Sequence, residues 1–492
     1  MTPQTSRTAP QGVHRRLRRA GALGICAALL FVACGGDDND DAGDDVGVTD
    51  AGDADAEPAT PRPFVPFDYP DAPASPDADE ENVAAAATIA DINEGIRGGA
   101  FNPVAIDELA TTGDTRHAWY AADLLRFAGP SDADRLVDAF EALTGVSIAD
   151  DPDAERTPWL SVTNHLIAWD TPDYPGYQEQ KGELFQLIEP AWAPFFADPD
   201  ADIDWRYLSW GGVFIDDREL GDPNGCPGGC IPALDDPATT DAAAGDWYPD
   251  DATVFGIVVG DDALAIPLNI AEIHEMFNLT LGDRRLGIPY CTLCGSAQAY
   301  FTDNTGAADE PVLRTSGLLS RSNKVMYDLR TQSVFDTFTG DAVSGPLQDE
   351  GITLEETTVV RSTWGEWKAE HPTTMIIAED GGIGRSYDPD PLRGRDDDGP
   401  IFPIGDVDGE LGVQEFVVGV ITADGTPVAF PSDLASDTID AGGAVEFAGV
   451  RLEASGDGLV AVDATSGEEL SAHEAFWFAW SQFHPDTELW TG

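Results

Sequence analysis

The sequence predicts an α+β chain: a helical N-terminal domain, HEAT-like or a small bundle, followed by a β-rich domain with an internal duplication. Three observations predict it. Between about 82 and 200, apolar residues recur at helical spacing between Gly and Pro breaks. After about 206, short β-like runs alternate with Gly- and Asp-containing turns. Within that second part, the pattern Trp-x-x-Trp-x-x-x-His-Pro-x-Thr occurs twice. A chain of 492 residues accommodates such domains plus tails.

The N-terminus reads as a targeting segment. Arg15, Arg16, Arg18 and Arg19 precede the apolar stretch AGALGICAALLFVA. That stretch is too short to span a bilayer comfortably and has signal-peptide flanks. FVAC, ending in Cys34, resembles a bacterial lipobox. The resemblance implies a signal peptide over 1–33, lipidation of Cys34, and a chain anchored at the bacterial cell envelope outside the cytoplasm, on the outer membrane or cell surface. Residues 34–81 are dominated by Asp, Ala, Gly and Pro and predict a disordered acidic tether.

The helical domain is expected over 82–205. Asn102-Pro103 is an N-cap followed by Pro at the first helical position. Ser131-x-x-Asp134 resembles a capping box, with Leu136, Val137, Phe140 and Leu143 on one face behind it. Tyr120, Leu124 and Phe127 form a similar face in the preceding helix.

The β-rich domain is expected over 206–492, with copy one at 252–378 and copy two at 414–491. VFGIVVGDDALAIPL and FVVGVITADGTPVAFPSDL read as matching hairpins. Trp364, Trp367 and His371 recur as Trp477, Trp480 and His484, each set on one face of a short helix that Pro ends. The two His therefore travel with the fold. Copy one carries roughly fifty extra residues, and these are expected to include HEMFNLTLGDRRLGIPYCTLCGSA, 274–297. Cys291 and Cys294 have no counterpart in copy two.

Charge excludes one class of partner. Ninety acidic residues face 26 basic ones, for a net charge of −64. Such a surface repels nucleic acid and anionic lipid, so no nucleic acid is expected and the membrane is reached through the lipid anchor.

From about Trp210 to Gly492 the chain resembles the bacterial domain-of-unknown-function family 3179. The resemblance is carried by WGGV (210–213), IPALDDP (231–237), HEMFN (274–278), PYCTLCGSA (289–297), SGLLSRSNKVMYD (316–328), TFTGDAVSGPL (337–347) and STWGEWKAEHP (362–372). It implies an extracytoplasmic protein without an assigned activity. ELGDPNGCPGGC (219–230) reads as an insertion private to this chain.

Three chemistries fit the cysteines. Beyond Cys34 the four are Cys226, Cys230, Cys291 and Cys294, and an oxidising compartment favours disulfides in one of three pairings. Cys226 and Cys230 sit in CPGGC, flexible enough to close on itself. Cys-x-x-Cys is also the spacing of dithiol exchange centres, although no thioredoxin-like pattern surrounds it. Finally, His274, Cys291 and Cys294 supply three ligands with a fourth position open, a set suited to zinc or copper. Glu275 would then be a catalytic base or outer partner, with Asn278 one turn from His274. Arg314, Arg321, Lys324 and Arg330 form a basic run in which Ser320, Ser322 and Asn323 add donors for a carboxylate or phosphate ligand. The competing reading pairs these cations with the surplus of acids. The function expected is an extracytoplasmic lipoprotein with a metal- or thiol-dependent site at His274, Cys291 and Cys294, as enzyme or metal carrier. The alternative is a non-catalytic envelope binding or scaffold module whose cysteines form structural disulfides. No substrate or protein partner is legible.

Overall fold

The computed structural model describes residues 66–77, 79–222, 224–226, 228–394 and 399–492. The expected signal peptide, the lipidation site Cys34 and the tether as far as residue 65 lie outside the described residues. No helix among the described residues is long and apolar enough to cross a membrane.

The tether ends earlier than composition predicts. Phe67 and Tyr69 pack their rings on His165, with centroids 5.4 and 5.0 Å away. Trp169 Nε1 donates to the Pro70 carbonyl at 2.7 Å, and the buried Arg116 guanidinium donates to the carbonyls of Asp77 and Glu80. Two aromatic anchors and main-chain acceptors thus seat an otherwise acidic segment on the helical part.

That part contains the helices Val83–Arg97, Pro103–Leu109, Ala118–Leu125, Pro130–Thr144, Pro158–Ala168 and Tyr177–Ile188. Asn102 caps its helix as expected, accepting from the amides of Val104 and Ala105, with Pro103 in the first turn. The expected cap at Ser131 is displaced. Gly129 occupies that position and Pro130 opens the helix, because Pro supplies the helical φ without needing a hydrogen-bonded amide. Leu136, Phe140 and Leu143 are buried, and Gly145 ends the helix in the left-handed region. The helical core is not separate from the sheets. Trp119, Phe140 and Trp192 share one apolar cluster with Trp210, Leu318 and Tyr327 of the β-rich part.

The described β-rich part consists of five small, blade-like sheets. In one, the strand Thr253–Val259 pairs with Asp262–Pro267, flanked by Val360–Thr363 on one side and the parallel strand Met375–Ile377 on the other. Phe416–Ile421 and Pro427–Pro431 repeat this arrangement, flanked by Ala472–Phe476 and the parallel Glu488–Leu489. The registers agree, Gly256 opposite Ala265 and Gly419 opposite Ala429.

The Trp–His frame explains the agreement. Trp367 lies flat on Gly256, and Trp480 lies on Gly419, so that a Cβ at either glycine would collide with the ring. Each indole donates to a threonine, Trp367 to Thr374 at 3.0 Å and Trp480 to Thr487 at 2.9 Å. His371 and His484 sit on those same rings at 4.1 and 4.3 Å and close the helices Trp364–Glu370 and Trp477–Phe483. These histidines serve packing, as their recurrence predicts.

A second pair of sheets also corresponds. Glu355–Thr357, Ala299–Phe301, Arg284–Cys291 and Met276–Leu281 follow the order of Glu469–Leu470, Gly458–Asp463, Val450–Ser455 and Val445–Phe447. The extra residues of copy one therefore lie between Phe301 and Glu355, after the stretch expected to contain them. They build the strands Leu313–Ser320, Asn323–Asp328 and Val334–Phe335, which pair in one sheet with Leu208–Trp210. Only the Cys-x-x-Cys turn at the tip of Arg284–Cys291 is a local elaboration. Copy two joins the equivalent strands directly from Ser455 to Gly458.

Candidate functional site

Two turns bring the thiols to one place. The strand Arg284–Cys291 delivers Cys291, a 3-10 turn Thr292–Cys294 follows, and Gly295 at φ 59° reverses the chain so that Ser296 pairs with Cys291. Facing it is the hairpin Leu313–Ser320 with Asn323–Asp328, part of the inserted block. Its two turn residues, Arg321 and Ser322, have φ of 47° and 71°, the conformation of tight hairpins normally left to Asn and Gly. The turn aims the Ser322 carbonyl at both sulfurs. Cys294 Sγ donates to it at 3.3 Å, and Cys291 Sγ lies at 3.9 Å. Glu275 is also left-handed, at φ 49°. Three non-glycine residues in this region around one site are a concentration of backbone strain that surrounding contacts must sustain.

Both thiols are free and buried. Burial alone raises a thiol pKa, and at Cys294 it does so strongly, reinforced by hydrogen bonding of its side chain to Cys291. Cys291 moves the other way. Burial opposes its ionisation, but the Cys294 side chain, the Lys324 amide and the Lys324 ammonium together lower its pKa, against the repulsion of Glu275. The pair is thus split into an acidic and a reluctant thiol. Lys324 is itself buried, which lowers its pKa, while Glu275 favours the ammonium at 3.2 Å. Glu275 accepts from Thr292 Oγ1 at 3.1 Å. Cys291, Thr292, Glu275, Ser322 and Lys324 line one side of a cavity of about 60 Å³, and Val213, Ile231, Leu318 and Phe402 make it apolar elsewhere. Among the described residues, Ser322 Oγ is buried without a hydrogen-bond partner.

The structure does not bring His274 to the sulfurs. Its Nδ1 donates to the Pro232 carbonyl at 2.7 Å, and its Nε2 accepts from the Tyr387 hydroxyl at 2.8 Å. Burial pushes its pKa down to about 4, so the ring is neutral and both nitrogens are occupied. The expected ligand set of His274, Cys291 and Cys294 does not assemble. Helical spacing placed Asn278 one turn from His274, but the helix Leu268–His274 ends there and Asn278 lies on the strand Met276–Leu281, and the left-handed turn at Glu275 sends the His274 and Glu275 side chains to different partners. Among the described residues, one set of donors is close enough to share an ion: Asp216, Cys226 and Cys230. Cys226 and Cys230 form a disulfide, and the Asp216 carboxylate already accepts from Arg218 Nε at 2.7 Å and the Ala233 amide at 2.8 Å. Those commitments leave little donor capacity for a metal.

The other sequence candidates separate by role. Asn278 clamps two strands, donating to Asp235 and Leu313 and accepting from the Leu313 amide, each at 3.0 Å. Arg314 is buried and pairs with Asp235 at 2.7 Å. Arg321 stacks over the Tyr207 ring at 3.7 Å rather than edging the thiol cavity. Asn323 accepts from Ser296, while its side-chain amide nitrogen is buried without a partner among the described residues. Of the basic run, Lys324 alone reaches the thiols. Thr292 and the Ser322 carbonyl carry no sequence signal of their own. The rarity of lysine, three in the chain, was the available pointer to Lys324.

Comparison with known proteins bears on this region. Residues 228–449 match the family described as protein of unknown function (DUF3179). The match contains Glu275, Cys291, Cys294 and Lys324. No curated protein and no solved structure matches the chain.

Proposed function

We propose that residues 228–449, a DUF3179 segment, carry a dithiol exchange centre with Cys291 as nucleophile and Cys294 as resolving thiol. The observation that supports this most directly is the shared Ser322 carbonyl, which holds two free thiols side by side with the Lys324 ammonium acting on Cys291. The Cys291 thiolate attacks one sulfur of a substrate disulfide and expels the other as a thiolate, which takes up a proton. Cys294 then loses its proton and attacks the Cys291 sulfur of the mixed disulfide. The second substrate thiol leaves with that proton. Two protein thiols are oxidised and one substrate disulfide is reduced; the reverse direction oxidises a substrate dithiol. Lys324 favours the attacking thiolate, and the apolar cavity excludes water from it.

The compartment is part of the same proposal. An envelope lipoprotein anchored through Cys34 would work where disulfides form and persist, and the Cys226–Cys230 disulfide suits such a place. A second reading rests on the same two neighbouring sulfurs: soft ligands of this kind suit zinc or copper, with the set completed by groups other than His274.

Equilibrating the purified protein in glutathione redox buffers and mapping disulfides by mass spectrometry tests the proposal. A reversible Cys291–Cys294 disulfide is the expected result, with no stoichiometric metal by elemental analysis. Tightly held zinc or copper would favour the metal reading. Thiols inert to every buffer would leave the non-catalytic binding module.

A further inference from the structure

Arg361 stands in an unusual position for a cation in this chain. It lies half-buried on the strand Val360–Thr363, and among the described residues neither a hydrogen bond nor an ion pair satisfies its guanidinium, despite 90 acidic residues in the sequence. It lies over the Phe416 ring, 4.7 Å from Cζ to centroid. The equivalent position in the second copy, by strand register, is Glu474. That carboxyl is partly buried and interacts electrostatically with Arg361 without forming an ion pair with it.

Arg361 faces a cavity of about 300 Å³ between the two copies. Copy one contributes Phe255 and Tyr290, with centroids 4.8 Å apart, and copy two contributes Phe416 and Phe476, 4.4 Å apart. Thr292 and Gly295 close one side, so the cavity lies against the cysteine turn and also touches the residue that lines the thiol cavity. Gly295 is fitted to this wall, because a Cβ there would meet the Phe416 and Phe476 rings. The volume falls at the lower end of the range of small-molecule sites, about 300–1,000 Å³.

We propose that this cavity binds a small carboxylate with an aromatic or apolar body. A guanidinium offers a planar fork of donors that matches a carboxylate in two parallel hydrogen bonds. Four aromatic rings supply the complementary surface for the rest of the ligand. A cationic ligand would find aromatic faces but would be repelled by the Arg361 guanidinium, and a fully hydrated inorganic anion would leave the aromatic walls unused. This site does not depend on the thiol reading, since binding requires neither cysteine to react.

The test uses the full chain and three probes in isothermal titration: phenylacetate, benzyl alcohol and inorganic phosphate. Phenylacetate is expected to bind saturably at one site. Benzyl alcohol and Arg361→Gln should each weaken binding by about tenfold or more, the loss of a charge-assisted hydrogen-bond pair. Arg361→Lys keeps the charge without the fork and is expected to fall between the unaltered protein and Arg361→Gln, which preserves the test should Arg361→Gln not fold. Glu474→Gln should leave binding in place. The proposal is overturned by the absence of saturable phenylacetate binding, by phosphate binding as tightly, or by unchanged affinity in a folded Arg361 variant.

Discussion

Lys324 donates from Nζ to the main-chain carbonyl of Glu275 at 2.5 Å and lies 3.2 Å from the carboxylate of the same residue. Both side chains are buried. Glu275 belongs to the duplicated frame and Lys324 to the block present in the first copy alone. The inserted hairpin therefore supplies the cation beside the thiols, and the strained Glu275 turn is held by the group it helps to keep charged.

Lys324→Met should have two separable effects. Leaving Glu275 buried without its partner should cost about 3–5 kcal/mol of stability. Losing the ammonium should raise the Cys291 pKa and slow its alkylation at neutral pH, by about tenfold per unit of rise. Adding Glu275→Gln should restore much of the stability and, because it also removes the repulsion that opposes the Cys291 thiolate, should recover part of the alkylation rate. Urea unfolding and thiol labelling measure the two independently.

His274 should make the fold sensitive to acid. Its pKa is about 4 in the native state against about 6.5 for a free imidazole. Between those values the unfolded chain binds a proton that the native chain does not, so stability falls as pH drops through this window. The contribution is absent above about pH 7 and approaches about 3 kcal/mol near pH 4. His484, also near 4, acts in the same direction. His274→Gln should flatten part of the stability profile between pH 7 and 4.5, as read by urea midpoints. An unchanged slope would show that His274 is protonated in the fold.

The duplicated frame predicts a matched pair of variants. Gly256→Ala and Gly419→Ala should each destabilise by about 1–3 kcal/mol, because the new methyl group meets the face of Trp367 or Trp480. Thermal melts of the two should shift comparably. A large loss at one and none at the other would contradict equivalent packing.

This frame was legible from the sequence because the two Trp, the His, the Pro and the Thr that build it recur at one spacing in both copies, each set following a matching hairpin. The thiol site was legible only in part. Cys-x-x-Cys announces two neighbouring sulfurs, but the turn of Arg321 and Ser322 that faces them belongs to another hairpin, and residue spacing carries no information about that approach. The same limit misplaced His274: its partners, Pro232 and Tyr387, are 42 and 113 residues away. Composition likewise overextended the tether, since Phe67 and Tyr69 outweigh many aspartates once a surface exists to receive them.

The Cys226–Cys230 link closes a short ring, so replacing both by Ser should cost only about 2 kcal/mol. Cys291 should keep its reactivity in that variant, measured by labelling with and without reductant. A loss of Cys291 reactivity would tie the two cysteine pairs together.

The pH dependence of alkylation, resolved for each thiol by peptide mass spectrometry, distinguishes an acidic Cys291 from a reluctant Cys294. Native protein at increasing pH should label first at Cys291, with a midpoint below the ordinary thiol value of about 8.5, while Cys294 stays protected until Cys291 is blocked. Labelling of Cys294 first, or a Cys291 midpoint above the ordinary value in folded, metal-free protein, would rule out Cys291 as the attacking thiol.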